Sequence, residues 1–441
     1  MTKHSRLFST WSLVALVVGN AVGAGIYTTS GFALADLGSR EWVLFGWFVA
    51  GLVAIAGAMS YGMLVRHITE SGGEYVFLSR AIHPLAGFIA GWVSLLAGFP
   101  GAIAFAALAF EAYLSSAWPW LQQVPATATA IAVTVCAGLL HGFRVRTGVQ
   151  SHQNLVLLML IILVLLVVAA TFVITLRTPP ISVLPVAPVQ FNLYAFAGTL
   201  VWISLSYSGF NAAAYVAGEV DHARDAVPRG MVLGTVVTMV LCLAVNWVLL
   251  YGADASLIQG RAEIAAVVAD SLGGRTARQL VQLVVAISLL TSITAMALAG
   301  PRVYAKMAED GALPAVFKQR LGHPPRTSIA LQVVISVLLI SLSDLRGLMS
   351  YLGFTLSLCL ALAVSSLFVI HWRRGLRPAS AWYPLAPLVF VVCTVSFAML
   401  SSIHQPMQAL ALVPVCGLGA LAYYGSVRHT RRRSPQSKTE I

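Results

Sequence analysis

Gly19-Asn20-Ala21-Val22-Gly23-Ala24-Gly25-Ile26-Tyr27 interrupts an uncharged apolar stretch long enough to cross a bilayer. A second interruption, Ser206-Tyr207-Ser208-Gly209-Phe210-Asn211, lies inside another such stretch and begins 187 residues later, at 206 against 19. A backbone that unwinds in hydrocarbon leaves N–H and C=O groups unpaired, at several kcal/mol each. Such breaks persist where they line a cavity, and a pair in corresponding halves points to a carrier's binding site. Close helix packing is the competing reading, since Gly19 and Gly23 stand four residues apart. The second break, with Asn211 and flanking hydroxyls, weighs against packing alone.

Composition sets the class. Of 441 residues 59% are apolar and 10% charged, against about 25% charged in an ordinary soluble domain. The mean hydropathy is +0.85. Uncharged stretches near the roughly 20 residues that span a bilayer recur at 11–35, 42–65, 85–110, 117–140, 155–176, 193–218, 231–253, 280–301, 328–343, 347–370, 380–403 and 405–427. An all-α integral membrane protein of about twelve spans follows. The ninth stretch is short. The chain divides into a cytoplasmic tail (1–10), a transporter core of ten spans (11–375), two further spans (376–427) and a basic cytoplasmic tail (428–441). Spans one to five and six to ten form a five-plus-five inverted repeat with broken helices one and six.

With the N-terminus inside, 21 of the 27 Lys and Arg residues fall on cytoplasmic segments; Arg40, Arg177, Arg261, Arg275, Arg278 and Arg346 stay outside. Inverting the chain would reverse this bias, so both termini are placed in the cytoplasm of a plasma (inner) membrane protein. The net charge of +12 then needs no nucleic acid, and the tail Arg428–Lys438 reads as a stop-transfer flank beside lipid. Cys136, Cys242, Cys359, Cys393 and Cys416 lie in spans without metal-ligand spacing and read as packed thiols.

A half-helix ending at mid-membrane presents N–H groups and a positive dipole end, which suits an anion. The other half presents carbonyls, which suit an ammonium. A ligand carrying both groups side by side is an α-amino acid.

These residues resemble a known family. Gly23-Ala24-Gly25-Ile26-Tyr27 is similar to the Gly-Ser-Gly-Ile-Phe signature of the amino acid–polyamine–organocation superfamily. Ser71-Gly72-Gly73-Glu74-Tyr75 resembles its loop after span two, and Ser206 to Asn211, continuing through Tyr215-Val216-Ala217-Gly218-Glu219, resembles its sixth span. Gly300-Pro301-Arg302 resembles the end of its eighth. The resemblance runs from about residue 10 to 375 and lies nearest the amino-acid permeases and L-type exchangers. It implies the leucine-transporter fold, alternating access, and a monomer or homodimer. Backbone N–H groups of Gly23, Ala24, Gly25 and Ile26 would meet a carboxylate. Carbonyls of Leu205, Ser206 and Ser208 would meet the ammonium. Ala102, Ala106 and Leu356 would line the side-chain pocket. Trp202 would replace the aromatic gate that relatives place at Leu205. Leu157 falls where proton-coupled relatives carry a lysine, and span five has none.

Thr291, Ser292 and Thr294 offer oxygens to a sodium ion, although such hydroxyls often bond their own helix. Glu111, near the outer end of span three, is the acidic residue most nearly embedded and a gating candidate; a solvated glutamate is the alternative. Glu219 is a second gating candidate, with Arg66, Arg144 or Arg302 as its cation. Asn211 joins them. No phosphate loop, metal cluster or nucleophile–base pair suggests an enzyme, and no cofactor is implied. A passive channel would show a pore motif or charged ring. A polyamine or organic-cation carrier would call for buried carboxylates, and the core spans offer only Glu111. The expectation is a secondary transporter for neutral, apolar L-amino acids, working as an exchanger or ion-coupled permease.

Overall fold

Polar caps start the apolar helices. In a computed structural model that describes residues 9–143, 149–176, 190–318, 325–376, 380–404 and 406–433, the Ser9 hydroxyl accepts from the Ser12 N–H and opens α1 (Thr10–Ala21). After a short break comes α2 (Ala24–Leu37), and Ser39 caps α3 (Arg40–His67) through the Trp42 N–H. The chain continues through α4 (Gly73–Ala81), α5 (Pro84–Ala117), α6 (Ala128–Phe143) and α7 (Val149–Leu176). Asn192 caps α8 (Leu193–Tyr207), which runs into a 3-10 segment (Ser208–Glu219). Then follow α9 (Ala223–Tyr251), α10 (Ile264–Glu309), α11 (Arg326–Leu342), α12 (Leu345–Arg374), α13 (Leu385–His404) and α14 (Pro406–Arg433). Most of the basic tail, residues 434–441, and Arg144 and Arg146 lie outside the described residues.

Eight helices are long and apolar enough to cross a membrane, and the pair α1 and α2, bent by 41°, makes a ninth. Three shorter apolar helices accompany them, Ala128–Leu140, Arg326–Leu342 and Ala409–Gly425. The protein is thus an all-helical, multi-pass membrane protein among its described residues. α10 breaks near its start, where Gly273 and Gly274 leave helical geometry and Gly274 takes φ 66°, a conformation that costs glycine little.

The core gathers α1, α2, α3, α8 and α9, with α5, α10 and α12 beside them. One polar chain inside it links α3, α2 and α9. The Trp47 indole N–H donates to Ser30 at 2.9 Å, and the Ser30 hydroxyl donates to Asn246 at 2.5 Å. Such interhelical bonds contribute about 0.6 kcal/mol each in membrane proteins. By contrast, only 6% of the apolar window of α7 is buried, against 72% for α5. Leu157 on α7 is 53% exposed, so it faces away from the broken helices. Its neighbour Val156 is the residue that meets α1, at Gly19. Both are apolar.

Candidate substrate-binding site

α1 stops at Ala21 because the Val22 N–H returns to Val18 O at 2.9 Å and the Gly23 N–H turns back to Ala21 O at 3.0 Å. α2 begins at Ala24 with Gly23 as its N-cap and no side chain capping it. The break is therefore narrower than expected: Ala24, Gly25 and Ile26 form the first turn of α2. Their N–H groups are the orphan donors of a helix start, while the carbonyl end of α1 faces the same gap. A positive and a negative dipole end lie side by side.

The second interruption takes another form. Instead of unwinding, α8 tightens into the 3-10 segment, whose i to i+3 pairing keeps backbone groups occupied. The Leu205 carbonyl accepts both the Ser208 N–H and the Ser208 hydroxyl, the latter at 2.7 Å. This leaves the buried Ser206 hydroxyl, 3.4 Å from Thr29 Oγ1, as a polar group on the cavity wall. The two breaks touch through glycines. A Cβ at Gly25 would come 3.1 Å from Ser206 Cα, and one at Gly209 would come 2.5 Å from the Ala21 nitrogen.

A cavity of about 260 Å³ opens between them. Gly23, Ala24, Gly25, Ala102, Ala106, Leu205, Ser206, Ser208, Asn211 and Leu356 all line it. Ile26 does not; its side chain is fully buried elsewhere in the core. Ala102 and Ala106 reach the wall just past a π turn, Ser94–Gly98, inside α5. The cavity extends to Arg302, whose side chain is 37% exposed on the face that carries Ser9 and the α3–α4 connection, here the N-terminal face. The opposite mouth is shut. There Gly260 donates its N–H to Gly31 O at 2.8 Å, Tyr113 donates to Tyr27 O at 2.8 Å, and Asp36 pairs with Arg346.

Residues 8–414 match the model of the family described as amino acid permease. The chain belongs to that family. The permease is 24% identical to the serine/threonine exchanger SteT of Bacillus subtilis, with 93% of this chain and 94% of that protein aligned. It is equally 24% identical to the human cystine/glutamate transporter, over 93% of this chain and 83% of the other. The human large neutral amino acids transporter small subunit 2 is also 24% identical, over 92% and 76%. These relatives are transporters, and the permease is one too, with no enzymatic role.

The remaining candidates separate clearly. Trp202 of the permease is buried; its indole N–H donates to Ser350 at 2.7 Å and the Arg346 guanidinium lies 5.1 Å from its ring centre. It thus belongs to the closed mouth. Glu219 pairs with Arg302 at 3.6 Å on the N-terminal face; Arg144, another proposed partner, lies outside the described residues. Thr291 and Thr294 donate to carbonyls of their own helix at 2.8 Å, and of the three hydroxyls only Ser292 lines the cavity, beside Gly23. Glu111 lies apart from the cavity lining. Its carboxylate accepts the Thr127 and Ala130 N–H groups at 2.9 and 2.8 Å, capping α6 and leaving no reach to the cavity.

Glu74 is the residue that sequence reasoning missed. It is 5% exposed, lines the cavity, and corrects the expectation that the core held no carboxylate besides Glu111. Tyr61 and Asn211 donate to its Oε1 at 2.7 Å, and Tyr215 donates to its Oε2 at 2.5 Å. Asn211 is therefore a ligand of Glu74. Nearby, Glu70 binds Arg80 and Lys306 at 3.0 and 3.1 Å. The Arg80 guanidinium, with Lys306 behind it, holds the Glu70 carboxyl down at about 2.

Proposed function

We propose that this permease moves neutral, apolar L-amino acids across the plasma (inner) membrane by alternating access, as an exchanger. The observation that carries the reading is the break at Val22 and Gly23, which sets the uncapped start of α2 beside the end of α1 in one cavity. The first suits an α-carboxylate and the second an α-ammonium. Ala102, Phe105, Ala106 and Leu356 supply apolar walls for the side chain. The names of the relatives, an exchanger among them, support amino acids as the substrate class.

In this reading the chain crosses the membrane twelve times, with spans one to five and six to ten repeated in inverted order. The positive bias of the loops puts the N-terminal face in the cytoplasm, so the cavity described above is inward-open. Trp202, Asp36 and Arg346 close the outer mouth. Ser292 is the place to look for a coupling ion.

Glu74 favours a second reading, since polyamines and other organic cations seek buried carboxylates. Against it, three donors already occupy that carboxylate. Uptake of radiolabelled amino acids and of putrescine into liposomes holding the purified protein decides between them. We expect leucine-like amino acids to be taken up and putrescine to be ignored. Transport of putrescine without a response to any amino acid would overturn the assignment.

A further inference from the structure

We propose that Glu74 is a proton-binding group whose ionised form holds the carrier in its N-terminal-face-open arrangement. The proposal goes beyond the transport reading and uses it only as one of two assays. Among the described residues, Glu74 is the one carboxylate in the buried set, and no described ion pair includes it. Its three donors are neutral: Tyr61 on α3, and Asn211 and Tyr215 on the 3-10 segment. An ionised carboxylate only accepts, so three donors suit it; a protonated one brings an O–H of its own into the same space. Hydrogen bonds to a charged acceptor are roughly twice as strong as neutral ones. Protonation therefore loosens the tie between α4, α3 and the 3-10 segment.

The surrounding charges leave the site to Glu74. Tyr61 faces it from α3, Tyr215 from the 3-10 segment and Cys359 from α12. From α10, Arg302 lines the same cavity but is engaged by Glu219, while Lys306 and Asp310 bind Glu70, Arg80 and each other, and Tyr75 of α4 donates to Asp310. The part of α5 packed on α4, Pro84–Val93, carries no titratable group.

Ser208, Gly209, Asn211 and Tyr215 all line the cavity, and in the proposed closing step the 3-10 segment moves. Asn211 and Tyr215 then leave the carboxylate. A buried charge stripped of its partners costs several kcal/mol, and a proton from the cavity water removes that charge by forming an O–H on Glu74. Reopening returns the proton to the same water. Since a ligand shifts a conformational equilibrium only through differential affinity, protons bind the closing form more tightly and drive the carrier out of the open one.

The test is the pH profile of exchange in liposomes, from about pH 8 to about pH 5.5, for wild type, Glu74→Gln and Glu74→Asp. Acidification should speed wild-type exchange by at least about ten-fold, as three bonds lose their charge assistance. Glu74→Gln should be flat, and Glu74→Asp should keep a response with a displaced midpoint. A flat wild-type profile, or the same slope in Glu74→Gln, overturns the proposal. If Glu74→Gln does not fold, an unchanged midpoint in Glu74→Asp does so. A substrate-free readout separates this from the transport reading: a cysteine placed at Ala299, on the cavity wall, should label faster in wild type than in Glu74→Gln at about pH 8, and the difference should disappear in acid. Equal labelling at every pH overturns the proposal whether or not amino acids are carried.

Discussion

Gly23 and Gly25 stand two residues apart and do different work. A side chain at Gly25 would press on Ser206, down to its Cα, so Gly25→Ala must push α2 away from α8. Overpacking of this kind costs about 1–3 kcal/mol, and the unfolding midpoint in detergent should fall. At Gly23 the backbone is extended and a Cβ would sit 3.3 Å from Ser292 Oγ; there Gly23→Ala should leave stability intact and weaken substrate affinity. Equal melting of Gly25→Ala and wild type would refute the packing role. The pair was legible as a motif, but its division of labour was not, because the partner Ser206 lies in another half of the chain. Glu74 was missed for a related reason. In sequence it follows Ser71-Gly72-Gly73 and reads as a polar loop, and only the fold brings Tyr61, Asn211 and Tyr215 around it. Glu111 misled in the opposite direction, since its partners Thr127 and Ala130 sit beyond a turn that periodicity does not reveal.

Among elements, the closed mouth depends on few polar ties. Asp36 ends α2, Arg346 starts α12 and Trp202 lies on α8, so one guanidinium holds three elements together. Exposed ion pairs contribute about 0–1 kcal/mol, but this pair is half-buried and stacked on an aromatic ring, a contact of about 0.5–2 kcal/mol. Arg346→Gln should therefore raise outer-face labelling of a cysteine at Thr29 several-fold, and Asp36→Asn should do so more weakly. Unchanged labelling in Arg346→Gln would remove the clasp from the gate. The first broken helix was readable because Gly, Ala and Gly cluster within an uncharged run. The second was misjudged in kind: the hydroxyls and Gly209 signal irregular backbone equally for a loop or for a 3-10 turn, and the Ser208 to Leu205 bonds decide for the turn.

For the molecule as a whole, the bilayer-crossing class followed from hydropathy alone, whereas the open face followed from packing that no periodicity encodes. Val156 and Leu157 are both apolar, so neither position supplies a cationic side chain. Uptake should then depend on amino acid loaded on the opposite side and change little when sodium is replaced by choline. A steep sodium dependence that vanishes in Ser292→Ala would place an ion beside α10 instead. The sparse burial of α7 has a consequence of its own. Its exposed apolar surface is of the kind that acyl chains cover in a bilayer, and its Val156 packs on the broken helix at Gly19, where a Cβ would come within 2.5 Å of a methyl. Annular lipid is thus a structural neighbour of the binding break at one remove. Membrane thickness, and delipidation during purification, will set how firmly α1 is held, so the carrier's affinity is a property of the protein together with its membrane.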